Sequence, residues 1–350
     1  FHVAAAFASA AAPLSNMLME IPFIKKIVAQ VLGITPHRPF PKFTREHAKI
    51  SATETQRHGE KIIFLSDSFA RYIEPETEQA ALDILLRCGF DVHVLPILGA
   101  GASLLSKGFV DPARRHAARV LDALDQVDPE CEATIVGIEP PEIYTLKHDY
   151  IDLLPERQDE ITRRIPRVWL LDEFLLRSDE FNSLRVVTLG QSSDRGDNFS
   201  KKIKFHPHCH QRAEGLASDG LAIGANATVE LLRACGYEVE LLDTGCCGMA
   251  GTFGYEAEHY ELSMKVGELK LFPALRTPTA HSPSGRGTSP KSDVESSHAN
   301  RSLAVGFGGG WEGVVSTGAA CRMQIQQGTG IEAEHSMVMV AKALIAHDLS

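Results

Sequence analysis

Four cysteines stand where chemistry could be done. Cys209 lies in His206-Pro207-His208-Cys209-His210. The adjacent pair Cys246-Cys247 lies in the stretch TGCCGMAGTFGYE, Thr244 to Glu256. Cys321 follows Gly318-Ala319-Ala320. Thiolates are soft, strong ligands for iron and zinc, so four of them in loop-like sequence point to a bound metal or cluster. Two adjacent thiolates on a tight loop can reach different metals of one cluster. Gly245, Gly248 and Gly251 let the backbone come close to the sulfurs, and backbone N–H groups there can donate to cluster sulfides and help set a potential. His206, His208 and His210 read as N–H donors around Cys209. The same mixture of Cys and His also suits tetrahedral zinc, and that alternative stays open.

The spacing is regular. Between Cys209 and Cys246 lie 36 residues, and between Cys247 and Cys321 lie 73. The segment Arg276–Glu312, 37 residues rich in Ser, Gly, Pro and Thr, has no periodicity and reads as a disordered insertion. Without it the second gap is also 36, so the insertion is expected to loop out and leave the site intact. Its Gly306–Gly310 run has no strand–helix frame and reads as linker, not a phosphate loop.

The remaining cysteines read as structural. Cys88 and Cys235 end equivalent helices and are expected in the cores. Cys131, in the polar turn Asp128-Pro129-Glu130, is expected to be exposed. Seven cysteines with a vicinal pair make a poor disulfide framework, which favours a reducing, cytoplasmic setting. Thiol–disulfide chemistry at Cys246-Cys247 is a further reading.

These residues need a scaffold that gathers separated loops. Lys61–Ser66, Asp91–Leu95, Ala133–Ile138, Ile203–His206 and Glu238–Leu242 read as short buried strands. Helices alternate with them over Glu78–Cys88, Pro112–Leu124, up to Cys235, and Glu256–Leu271, which argues for parallel α/β sheets. The two halves repeat. Cys88-Gly89-Phe90-Asp91-Val92 matches Cys235-Gly236-Tyr237-Glu238-Val239 at an offset of 147, which puts Gly99-Ala100 opposite Cys246-Cys247. Ser68 falls opposite Cys209, and Glu142 opposite Cys321. The four cysteines therefore sit in post-strand loops of the second half, and such loops gather at one edge of a parallel sheet. The expected architecture is two pseudo-repeated α/β lobes. Residues 1–57 form a helical linker, 58–198 a first half-repeat without ligands, and 199–350 the half-repeat with the site.

Composition narrows the function. A net charge of −10 gives nucleic-acid binding no electrostatic support, and basic pairs such as Lys25-Lys26 read as solvated faces. The apolar stretch Phe1–Leu14 is too short to span a bilayer. Residues 14–32 read as one amphipathic helix stopped by Gly33 and used for packing or docking. Asp172-Glu173 and Lys147-His148-Asp149 read as solvated helix faces. The lone Gly99-Ala100-Gly101 reads as a degenerate copy of the cysteine loop.

At FLSDSFARYIEP, GIEPPEIYTLKHDY, FHPHCHQRA, LLDTGCCGMAGTFGYE and TGAACRMQI the chain resembles the cysteine-rich CCG-domain family. That family includes iron–sulfur subunits of glycolate oxidase and anaerobic glycerol-3-phosphate dehydrogenase. It also includes the C-terminal part of FAD- and Fe-S-binding oxidoreductases of the D-lactate dehydrogenase type. The resemblance covers roughly Lys61 to the C-terminus apart from the insertion. It implies an electron-transfer role with an iron–sulfur cluster on Cys209, Cys246, Cys247 and Cys321. FAD is implied on a partner domain or subunit that oxidises a 2-hydroxy acid such as D-lactate or glycolate, with a quinone or carrier as acceptor. Location in the cytoplasm, peripheral to the inner membrane, would follow. Two departures matter. The first half lacks the family's cysteines, and Gln324 stands where a fifth cysteine belongs. The first makes that half a structural scaffold, and the second favours a single 4Fe-4S centre.

Overall fold

The computed structural model describes residues 2–45, 48, 59–189, 201–215, 217, 219–276 and 311–345. The expected insertion therefore lies almost wholly outside the described residues. Among the described residues eight strands form two sheets. The first holds β1 (Lys61–Phe64), β2 (Asp91–Val94), β3 (Thr134–Gly137) and β4 (Val168–Leu170). The second holds β5 (Lys202–Phe205), β6 (Glu238–Leu241), β7 (Gly313–Val315) and β8 (Ala333–Glu334). Their orders are β2-β1-β3-β4 and β6-β5-β7-β8, with every pairing parallel. The internal repeat is thus a repeat of topology: each sheet reverses direction beside its first strand, where post-strand loops leave a crevice.

Strand residues alternate between cores, as a two-residue period requires. Ile62 and Phe64 enter a core to which both lobes contribute, with Leu85, Leu175, Phe205, Val315 and Met337. Ile63 and Leu65 enter a second core under the outer face of the first sheet. Val314 points the other way from Val315, into a third core that contains Cys247, Met249, Phe272 and Cys321. The lobes are therefore joined by shared apolar packing, and the cysteine site grows out of a small core of its own.

Asp172 and Glu173 are wholly buried at the seam between the lobes, not on a solvated face. Asp172 accepts from the hydroxyls of Thr228 and Ser336. Glu173 accepts from the Tyr144 hydroxyl and the Gly224 amide, each at 2.8 Å, and from the Leu170 amide at 3.1 Å. A buried carboxylate needs such a set of donors. Periodicity could not reveal it, because Tyr144 and Gly224 are distant in sequence.

The expected helix over 14–32 is two: α2 (Leu14–Glu20) and α3 (Pro22–Leu32), after α1 (His2–Ala10). Pro22 lacks the N–H that would continue the first into the second. Gly33 ends α3 in the left-handed conformation, at φ 67°, as its position suggests. Cys131 is 5% exposed and takes φ 56°, so the turn folds its thiol inward. Cys235 is buried and Cys88 packs against the shared core, as expected.

Candidate metal centre

Each cysteine is presented by the turn that follows a strand. After β5 the chain turns at His208, which caps the short helix Cys209–Ala213 by accepting from the His210 amide at 3.2 Å. Cys209 is the first residue of that helix, just as Ser68 is the first of Ser68–Tyr72 in the other lobe, capped by Asp67. After β6 the backbone turns through Gly245 and Gly248 at φ 69° and 94°. Gly248 cannot be replaced cheaply, because a Cβ there would lie 2.3 Å from the Ser263 carbonyl oxygen. After β7, Gly318 starts the helix Ala319–Thr329, whose first turn carries Cys321. A Cβ on Gly318 would lie 2.5 Å from the His208 ring, so two of the three loops touch here.

The loops converge. A ring nitrogen of His206 and the sulfurs of Cys247 and Cys321 all lie within 4.8 Å of one another. Cys246 is in contact with Cys247, and its charge reaches Cys209. The sulfurs receive backbone donors: Gly248 N–H to Cys246 Sγ at 3.3 Å and Met249 N–H to Cys247 Sγ at 3.4 Å. Cys247 and Cys321 are 4% and 2% exposed, whereas Cys209 and Cys246 face solvent. Of the four expected cysteines the structure thus gathers Cys247 and Cys321 on the buried side, with Cys246 next to Cys247, while Cys209 stands exposed on its own loop outside that group. His206 is nearer to the inner pair than a supporting role requires. His208 packs on Gly318, and His210 stands exposed, edge-on to His208 at 5.1 Å.

The electrostatics suit soft-metal binding. Contact with Cys247 and then burial hold the Cys246 thiol well above its ordinary pKa. At Cys247 the contact with Cys246 acts the other way, but Cys321 and burial outweigh it and the thiol is also raised. Burial raises Cys209 as well. Crowded thiols that resist ionisation alone are relieved when a cation takes up their charge, with release of protons. Burial, helped by Arg212, lowers His206 to about 4, so its ring is neutral and free to ligate. Its Nδ1 is 2.9 Å from the Thr244 hydroxyl, which orients the ring. Converging thiols, a neutral imidazole and amides aimed at sulfur fit either an iron–sulfur cluster or zinc.

Three supporting residues were not singled out in the sequence. Arg38 is 1% exposed, donates to the Gly254 carbonyl at 2.6 Å and the Ser263 hydroxyl at 2.8 Å, and its charge is felt at Cys247. Glu139, from the other lobe, accepts from the Ala319 amide at 3.0 Å. Arg322 donates to Glu74 and to the carbonyls of Ser316 and Thr317 at 2.8 and 2.9 Å. Except for the two carbonyls, these partners lie more than a hundred residues away, and nothing local marks them.

In the first lobe the equivalent site is closed. Glu142, opposite Cys321, sends its carboxylate to the amides of Ala100, Gly101 and Ala102 at 2.6, 3.0 and 3.2 Å. Those amides correspond to Cys247, Gly248 and Met249. A carboxylate therefore fills the place where the thiols of the other lobe meet.

No family model matches the chain. It is 24% identical over 341 residues to one of the subunits of anaerobic glycerol-3-phosphate dehydrogenase from Escherichia coli K12, covering 95% of this chain and 72% of that protein. It is 22% identical over 333 residues to D-2-hydroxyglutarate dehydrogenase of the same organism, covering 90% of this chain and 27% of that protein. The Pantoea ananatis D-2-hydroxyglutarate dehydrogenase is 25% identical over 224 residues, covering 64% of this chain and 20% of that protein. These relatives are dehydrogenases, which places the chain among oxidoreductases as a counterpart to one subunit or one part of a longer enzyme. Among the described residues no helix is long and apolar enough to cross a membrane.

Proposed function

We propose that the chain is the iron–sulfur electron-transfer module of a flavin-linked dehydrogenase, with its centre in the second lobe. The observation that carries this is the meeting of Cys247 and Cys321 at one edge of a parallel sheet, with Cys246 beside Cys247 and Cys209 on the neighbouring post-strand loop. Likeness to dehydrogenases of two names, one of them a 2-hydroxy-acid enzyme, supports the flavin-linked setting. The flavin and the oxidised alcohol belong to a partner domain or subunit, and a small 2-hydroxy acid is the substrate class we assign to it. Within that class, D-lactate and glycolate are the substrates that the sequence resemblance implies. We assign residues 1–57, 58–198 and 199–350 to the linker, the scaffold repeat and the site-bearing repeat.

A 4Fe-4S cluster held by Cys209, Cys246, Cys247 and Cys321 would supply one-electron relay. The chain's own residues set its surroundings. Cys247 and Cys321 hold it from the buried side. Gly248 and Met249 amides donate to thiolate sulfur and spread its charge. Arg38 places a buried cation near Cys247, whereas Arg322 is paired with Glu74 and braces the loop before Cys321. Cys209 and Cys246 present the exposed corner to a partner.

Zinc is a second reading, favoured by the approach of His206 to Cys247 and Cys321. Anaerobic purification with visible spectroscopy and iron, sulfide and zinc analysis separates the two. About four irons per chain with acid-labile sulfide, lost in Cys246→Ser, is the expected result. Stoichiometric zinc without visible absorption would replace electron transfer with a structural metal site.

A further inference from the structure

We infer that an apolar cavity between the N-terminal helices and the cysteine loops binds a hydrophobic quinone, which accepts electrons from the centre. The inference rests on the electron-transfer reading above and adds the acceptor's place.

The cavity has a volume of about 450 Å³, within the range of small-molecule sites. It is lined by Val28 and Leu32 of α3, by Phe40 and Phe69, and by Gly251 and Ala320 of the cysteine-bearing segments. A cavity with such walls takes apolar, preferably aromatic, ligands. Its position selects among them. Ala320 immediately precedes Cys321, and consecutive Cα atoms are about 3.8 Å apart. One residue therefore separates an occupant from a thiol of the centre, and an occupant there is placed to exchange electrons.

Polar groups are few and lie together. The ion pair of Lys107 with Glu256 and the side chain of Thr252 stand in the wall, where carbonyl oxygens of a ring would find donors. Apolar surface adjoins the cavity: Leu32 lines it and is 63% exposed, and Phe23 and Val31 of the same helix are 72% and 77% exposed. A ring inside and an isoprenoid tail along α3 match this division, whereas a polar acceptor would leave the cavity unused.

The reaction balances as follows. The quinone takes up two electrons and two protons, and each ring carbonyl becomes a hydroxyl. The electrons arrive singly from the cysteine centre, whose reductant is the reduced flavin of the partner dehydrogenase. The protons come from water, which reaches the Lys107–Glu256 pair directly, since its side chains are 29% and 28% exposed.

The test uses the full protein with its visible-absorbing centre and a short-tailed naphthoquinone in equilibrium dialysis. Saturable binding is expected, weaker by about tenfold or more in Val28→Trp, which fills the cavity. Leu32→Glu charges an exposed position at the mouth and should weaken binding without disturbing the core. After chemical reduction, reoxidation by the naphthoquinone should slow by a similar factor in both variants, while reoxidation by ferricyanide is unchanged. Absence of naphthoquinone binding to protein whose centre is intact would overturn the inference and leave electron transfer standing. So would equal affinity for a saturated alkyl chain, which would make this a lipid pocket. Binding to protein with no visible centre would overturn the acceptor role together with the electron-transfer reading.

Discussion

Glu142 shows how a metal-type loop is retired without being dismantled. Its carboxylate satisfies three amides that a tight turn would otherwise leave buried without a partner. Burial raises its pKa, yet the three amides and His116 oppose that shift. Glu142→Ala removes the acceptor and keeps the donors, so a loss of about 2–4 kcal/mol is expected in urea unfolding. Glu142→Gln, which keeps one oxygen, should recover part of it. The substitution of Glu for Cys is legible by aligning the repeat. The partners of that carboxylate are not, because they depend on how closely two loops approach. The same limit applies at His206, where the sequence marks a histidine near a cysteine but not its distance from two other cysteines.

At the scale of elements, the strands that a sequence reveals are those bounded by glycine and filled by apolar residues, such as Ile62–Phe64 or Ile135–Val136. Strands β4, β7 and β8 were not legible. They have three, three and two residues, too few to show a period. The N-terminal helices were legible as helices but not in their attachment. Arg38 provides it, reaching Gly254 and Ser263 and lying over the rings of Tyr255 and Tyr260 at 5.6 and 5.2 Å. Arg38→Ala should free the helices from the cysteine loop. Hydrogen exchange over α1–α3 and residues 254–264 should then quicken well beyond the rest of the chain. Unchanged exchange would mean that apolar packing alone holds them.

The whole molecule depends on charge buried between its lobes. Burial raises Asp172 to about 6, against the hydrogen bonds of Thr228 and Ser336, and the neighbouring Glu173 pushes in the same direction as burial. Its proton is therefore held more tightly folded than unfolded. The stability this adds is complete below the unfolded value near 4 and is lost as pH rises through about 6. For this group alone the loss is on the order of 3 kcal/mol. Asp172→Asn should flatten the pH dependence of Tm between pH 4 and 7, and a wild-type slope that persists in the variant would place the titration elsewhere. Topology gives a second expectation. The helix Leu271–Arg276 ends before residues 277–310, and the chain re-enters at the N-terminal end of β7, whereas the cysteines lie beyond the C-terminal ends of the strands. Replacing 277–310 by a short linker should therefore leave metal content per chain unchanged.

The uneven burial of the thiols gives the centre a front and a back. Cys247 and Cys321 are closed off by Phe272 and Ile325, while Cys209 and Cys246 meet solvent. A thiol reagent arriving from solvent meets Cys209 and Cys246 first, and Cys247 and Cys321 only after the packing behind them loosens. The order in which the four thiols can be modified is therefore written into the fold, from the front to the back.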